Sequence, residues 1–199
     1  MDISAAVAAV LGAFVLSGAA GLNAWLPLLV VAVGDRAGWI DLGHSYGWLS
    51  STPVIAGIAI LCVLDFVGDK IPALDSVLHG VGTLVAPTSG AILFAADTSV
   101  SSHLPPAVAA VLGAVTAGSV HIGRTVARPF VTGTTAGVGN PVVSTAEDGT
   151  ALVLTVLALV VPVVAFIAIL LLLTMLGLIA VRAVRWLRDR RRRTQLKPG

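Results

Sequence analysis

The stretch from Ser4 to Gly34, SAAVAAVLGAFVLSGAAGLNAWLPLLVVAVG, decides the fold. It holds no charged side chain, and as one helix it would be about 46 Å long at 1.5 Å per residue, against a hydrocarbon core of roughly 30 Å. Such a run must tilt, break or turn back. The sequence places the break at Gly21-Leu22-Asn23-Ala24-Trp25-Leu26-Pro27: Gly21 loosens the backbone, Asn23 supplies a polar side chain and Pro27 removes a backbone donor. The apolar run ends in small residues, as a signal peptide's does, but Asp2 replaces the positive start such peptides carry, so it reads as a retained first helix.

Outward from this stretch the same pattern recurs. Asp35 to Thr52 carries Trp39, Tyr46 and Trp48 among Gly, Asp and Ser, which suits a connection at the headgroup level. A second span is expected from Pro53 to Val67 and a third from Gly80 to Ala96, interrupted by Pro87 and Gly90. A fourth runs from Pro105 to Gly123, and a fifth from Ala151 to Val181, bent at Pro162. Between the last two, the Gly-, Pro- and Thr-rich segment from Arg124 to Asp148 argues against regular helix and for irregular backbone lining a polar cavity. The expected fold is an all-α polytopic transmembrane helical bundle with broken or re-entrant helices, crossing five times, or six if the first segment is a hairpin.

The octapeptide AVAAVLGA occurs at Ala6–Ala13 and again at Ala107–Ala114. It raises an inverted repeat as one organisation, with halves 1–100 and 101–181 within a single transmembrane domain, 1–181; inverted repeats frame midplane sites in many transporters.

Composition agrees with a membrane location: 57% of residues are hydrophobic and 11% charged, and the mean hydropathy is +1.00. Eight of the twelve Lys and Arg fall in residues 182–199, leaving four basic against nine acidic side chains before them. A basic tail directly after a long apolar segment is the positive-inside signal; it predicts a cytoplasmic C-terminus in the cell inner membrane and contact with anionic lipid. No soluble domain follows the Arg run to present it to nucleic acid. The single Cys62 has no disulfide partner.

Ionisable residues at membrane depth are costly and mark sites by default. Asp65 and Asp69 are four residues apart, on one face of a continuing helix, where a pair of carboxylates suits proton uptake or cation binding. Lys70 follows, and Asp75 and His79 repeat the spacing. His121, Arg124 and Arg128 share a helical face, and two guanidiniums suit phosphate or carboxylate. They can equally neutralise Asp65, Asp69 and Asp75. Glu147 and Asp148 are expected at the N-terminus of the last span, where the helix dipole favours acids. Asn23 and Asn140 complete the candidate site.

Asp65, Asp69, Asp75, His79, His121, Glu147 and Asp148 include hard metal ligands, yet no stretch carries a recognised metal-enzyme, phosphate-loop or dinucleotide signature, and no cofactor is assigned. The leading functional reading is a small transporter or lipid-type translocase for an anionic small molecule or lipid headgroup. Arg124 and Arg128 would hold the anion, and Asp65 or Asp69 would carry a proton. A membrane-embedded metal-dependent enzyme acting on a lipid or isoprenoid substrate is an alternative, as is a non-catalytic assembly subunit; self-association into a homo-oligomer is open.

The blocks GLNAW, DKIPALDSVLH, HIGRTVARP and GNPVVSTAED together resemble the bacterial membrane family labelled domain of unknown function 4126. The resemblance covers most of the chain to about Leu173 and leaves the Arg-rich tail outside. It implies architecture only; no catalytic residue is carried over.

Overall fold

The computed structural model describes residues 3–68 and 72–195. Helices α1 (Ile3–Leu22) and α2 (Trp25–Arg36) are followed by a 3-10 turn (His44–Ser50), α3 (Thr52–Gly68) and α4 (Pro72–Ala96). The short α5 (Thr98–Ser101), α6 (Pro106–Thr135), α7 (Asn140–Val160) and α8 (Pro162–Gln195) complete the chain. Among the described residues four helices are long and apolar enough to cross a membrane, or five if the 3-10 turn and α3, bent by 60°, form one span. Large apolar side chains such as Val111, Ile122, Leu171 and Met175 are exposed. In a multi-pass protein they face lipid.

Side-chain contacts fix the directions. Gly18 and Gly21 of α1 abut Thr116 and Val120 of α6, and Gly12 and Gly18 abut Pro162 and Ile169 of α8, so α1, α6 and α8 run parallel. Asn23 meets Asp65 at one end of α3, and Arg36 meets Thr52 at the other; α2 therefore runs back against α3. Gly82 lies at His121 and Gly90 at Gly113, which makes α4 antiparallel to α6. Helix α7 returns alongside α1, with Asp148 at Asn23 and Ala158 at Gly12.

Small residues make this packing close, as they do between helices in lipid, where burial of apolar surface gives no preference for protein over solvent. A Cβ on Gly113 would stand 2.2 Å from the Gly90 carbonyl oxygen, and Ser17 Oγ donates to that same oxygen at 2.9 Å. Nearby, Phe14 and Phe94 stack edge to face at 4.8 Å between centroids. Gly113→Ala is expected to cost about 1–3 kcal/mol through overpacking. Thermal unfolding in detergent measures it, with Gly177→Ala, where an added methyl meets open space, as the neutral control.

Four expectations are corrected. Helix α4 is not interrupted: Pro87 lies inside it and Gly90 serves the contact with α6. The segment from Arg124 is helical to Thr135 and again from Asn140, and its Thr hydroxyls are satisfied by bonding back to carbonyls within the helix, as Thr125 does to His121 and Thr145 to Pro141. Only a short turn intervenes, with Ala136 and Gly137 at φ 51° and 86°. Val161, at φ −139°, ends α7, and Pro162 opens a separate helix of reversed direction rather than bending one. Lastly, the two octapeptides lie on α1 and α6, which run side by side in the same direction; an inverted repeat requires opposite directions.

At the far rim from the tail, Leu42 and Asp97 form an antiparallel bridge, and Asp35 Oδ1 accepts from the Leu42 amide at 2.9 Å. Asp97 caps α5 by accepting from the amides of Ser99 and Val100. Burial pushes its carboxyl above the ordinary 3.8, and those two amides only partly offset the rise. A carboxyl that binds its proton more tightly when folded adds stability at low pH that is lost as pH rises through its raised value. Melting temperature is therefore expected to fall on raising pH from 3.8 through that window. Asp97→Asn, which keeps the acceptor oxygen, should remove this component.

Candidate functional site

A helix that ends inside a membrane leaves carbonyls at one end and amides at the other without partners, and lipid offers them none. The chain meets this problem where α1 stops at Leu22 and α2 starts at Trp25. Asn23 Oδ1 accepts from the amides of Trp25 and Leu26, both at 3.0 Å, and so caps α2. The Leu22 carbonyl accepts from Arg124 Nη1 of α6.

The remaining functions of these two side chains draw in α3 and α7. Asn23 Nδ2 donates to Asp65 Oδ2 at 3.1 Å and to Asp148 Oδ1 at 2.9 Å, so one amide holds two carboxylates from helices distant in sequence. Arg124 Nε lies 3.3 Å from Glu147 Oε2, and Arg128 Nη2 reaches the same oxygen at 3.0 Å. Glu147 thus bridges two guanidiniums. Asn23, His121, Arg128 and Asp148 are all buried.

Beside the break lies a cavity of about 140 Å³ with apolar walls from α1 to α4 and with Asp65, His121 and Arg124 at its polar end. Gly82 of α4 faces the imidazole: a Cβ there would come within 2.8 Å of His121 Cε1, so the missing side chain leaves the ring a place in the wall. Along α3, thirteen residues separate Asp65 from Thr52 at the aromatic rim, roughly 20 Å at 1.5 Å each. Beyond the cluster on the other side α6 continues from Arg124 to Thr135, about 16 Å more. The cluster therefore lies well inside the length of the bundle, with helix continuing on both sides of it.

Of the residues expected in the site, Asn23, Asp65, His121, Arg124, Arg128, Glu147 and Asp148 come together. Asn140 does not: it is the first residue of α7, where its Oδ1 accepts from Thr132 at 3.1 Å, two helical turns before Glu147. The Thr-Gly-rich stretch is taken up by helix ends and an exposed turn. Glu147 and Asp148 are not caps, since α7 begins seven residues earlier, at Asn140. Asp69 and Lys70 lie outside the described residues, as do the side chains of Asp75 and His79. Among the described residues no three or more His, Cys, Asp and Glu gather in a metal-holding group.

Sequence reasoning missed three elements. The Leu22 carbonyl and the open face at Gly82 have no residue-type signature. The pairing of Glu147 with Arg128 did have one, because a helical hairpin turning at Gly137-Val138 brings positions 128 and 147 opposite each other.

Apolar helices of spanning length, small-residue packing and a capped helix break among buried charges define a multi-pass, all-helical membrane protein with a polar centre. The chain matches the model of DUF4126, a domain of unknown function, over residues 10–182, and it belongs to that family. No curated protein and no solved structure matches it.

Proposed function

We propose that this protein is a small transporter or lipid-type translocase in which an anionic group exchanges with the Glu147 carboxylate on Arg124 and Arg128, coupled to proton uptake. The observation that carries the reading is the Glu147 bridge at a broken helix beside a cavity. The arginines are assembled and desolvated as for a phosphate or carboxylate, and an internal carboxylate occupies them. Displacement of the Glu147 carboxylate frees both guanidiniums for an incoming anion, and its return expels the anion. Helix ends that meet ions within the bilayer are a recurrent transporter device. The cavity supports transport over a purely structural pairing, for which a dry, closed cluster would suffice.

The basic end of α8 orients the reading: with the C-terminus on the cytoplasmic side of the inner membrane, the turn between α1 and α2 faces the inner leaflet. Differential binding of proton and anion in inward and outward states drives the cycle. The test is uptake or flip of anions and phospholipids into proteoliposomes under an imposed pH gradient. Wild type is expected to respond to the gradient, Glu147→Gln to bind anion but lose the pH response, and Arg128→Gln to lose uptake. No activity for wild type across such a panel, in protein that folds, would remove the proposal's support.

A further inference from the structure

The polar cavity does not end at its apolar wall. A second cavity of about 330 Å³ shares Trp25 and Val85 with it and continues between α3 and α4, past Leu28 and Ile58, to Trp48 and Ile92. From Gly82, at the imidazole, to Ile92 is ten residues of α4, about 15 Å. That is roughly half the hydrocarbon core, the depth of one leaflet's chains. Helix α3 forms the outer side of this groove, and its exposed Leu61 and Leu64 stand at the mouth of the polar cavity. Among the described residues the combined shape is a charged pocket with an apolar groove leading from it toward the aromatic rim.

We infer that the site takes a single-chain amphiphile with an anionic head: the phosphate or carboxylate reaches Arg124 and His121, and one alkyl or prenyl chain lies in the α3–α4 groove. This rests on the proposed function, whose substrate class it narrows. A free small anion would use the polar cavity and leave the groove irrelevant. A two-chain phospholipid would need a second groove continuous with the polar end. An inner-leaflet amphiphile has the matching orientation, with its head toward the tail side of the protein and its chain toward the far rim.

The test uses the full chain in phosphatidylcholine nanodiscs and dodecyl phosphate brominated at the chain end, which quenches nearby indoles. Saturable quenching is expected, with most of it lost in Trp48→Phe, because Trp48 lies at the far end of the groove. Val85→Phe, at the neck between the two cavities, should weaken binding about tenfold, and a brominated dodecyl trimethylammonium should not compete. Inorganic phosphate, tested by thermal shift, should bind weakly and indifferently to Val85→Phe. Quenching that is unsaturable, unaffected by both Val85→Phe and Trp48→Phe, or matched by the cationic analogue overturns the inference. If pH-driven uptake of inorganic phosphate proceeds while the amphiphile fails to bind, this inference falls and the transport reading stands; if the amphiphile binds as stated but nothing is moved, the transport reading falls and the site stands.

Discussion

Asn23→Leu is expected to destabilise the protein by about 3–6 kcal/mol, adding the loss of a helix cap to the exposure of buried polar groups to an apolar side chain. The substitution removes the acceptor used by the Trp25 and Leu26 amides. It also takes from Asp65 and Asp148 the amide they share. Leucine is close to asparagine in size, so packing contributes little to the difference. Asn23→Ser separates the two functions: serine is a good cap acceptor but too short to hold both carboxylates, and about half the loss is expected. Retention of folded protein on heating in detergent, followed by gel filtration, reads both. A Leu variant as stable as wild type would mean that the break is held together by something other than this side chain.

The second large effect concerns Glu147. Removing one partner of a buried ion cluster costs about 3–5 kcal/mol, because the remaining charge is left in low dielectric. Glu147→Leu leaves Arg124 and Arg128 facing each other without the oxygen both now reach, and a loss of that size is expected. Replacing all three residues, as Arg124→Met, Arg128→Met and Glu147→Leu together, should recover part of it, because the Leu22 carbonyl is left without its donor and both guanidiniums are taken from a centre that still holds the Asp65 and Asp148 carboxylates. The comparison bears on function as well as on stability: a triple variant that folds but neither binds nor moves anions assigns the ions to activity, not architecture. A triple variant as unstable as Glu147→Leu alone would contradict the pairing described here.

Much of the fold was legible because membrane burial writes long, simple signals. The break at Asn23 could be located from Gly21, Asn23 and Pro27, since a charge-free run too long for the bilayer must turn where its backbone and side chains permit. The aromatic rim and α3 followed from the same logic. Where the reading failed, local rules were overridden by lipid. Pro87, and the Gly, Thr and Pro residues after Arg124, predict irregular chain in water, but in hydrocarbon the backbone has no partner except itself, and Thr hydroxyls fold back onto helix carbonyls. The candidate site was legible as a list of costly side chains but not as a geometry. Which carboxylate meets which guanidinium depends on helix directions, and the hairpin of α6 and α7 sets Glu147 against both arginines. The parallel course of α1 and α6 likewise depends on the number of intervening segments, which composition left open at the first break.

A working centre within the membrane requires the polar cluster to lie at depth, and that depth can be measured by spin labelling. With Cys62 replaced by Ala, a nitroxide on Val63→Cys reports from an exposed position two residues before Asp65, while one on Trp39→Cys reports from the aromatic rim. The Val63 label is expected to be open to dissolved oxygen and closed to a water-soluble nickel chelate, and the Trp39 label the reverse. A Val63 label as accessible to the nickel chelate as the Trp39 label would place Asp65 in water and contradict a charged centre within the membrane.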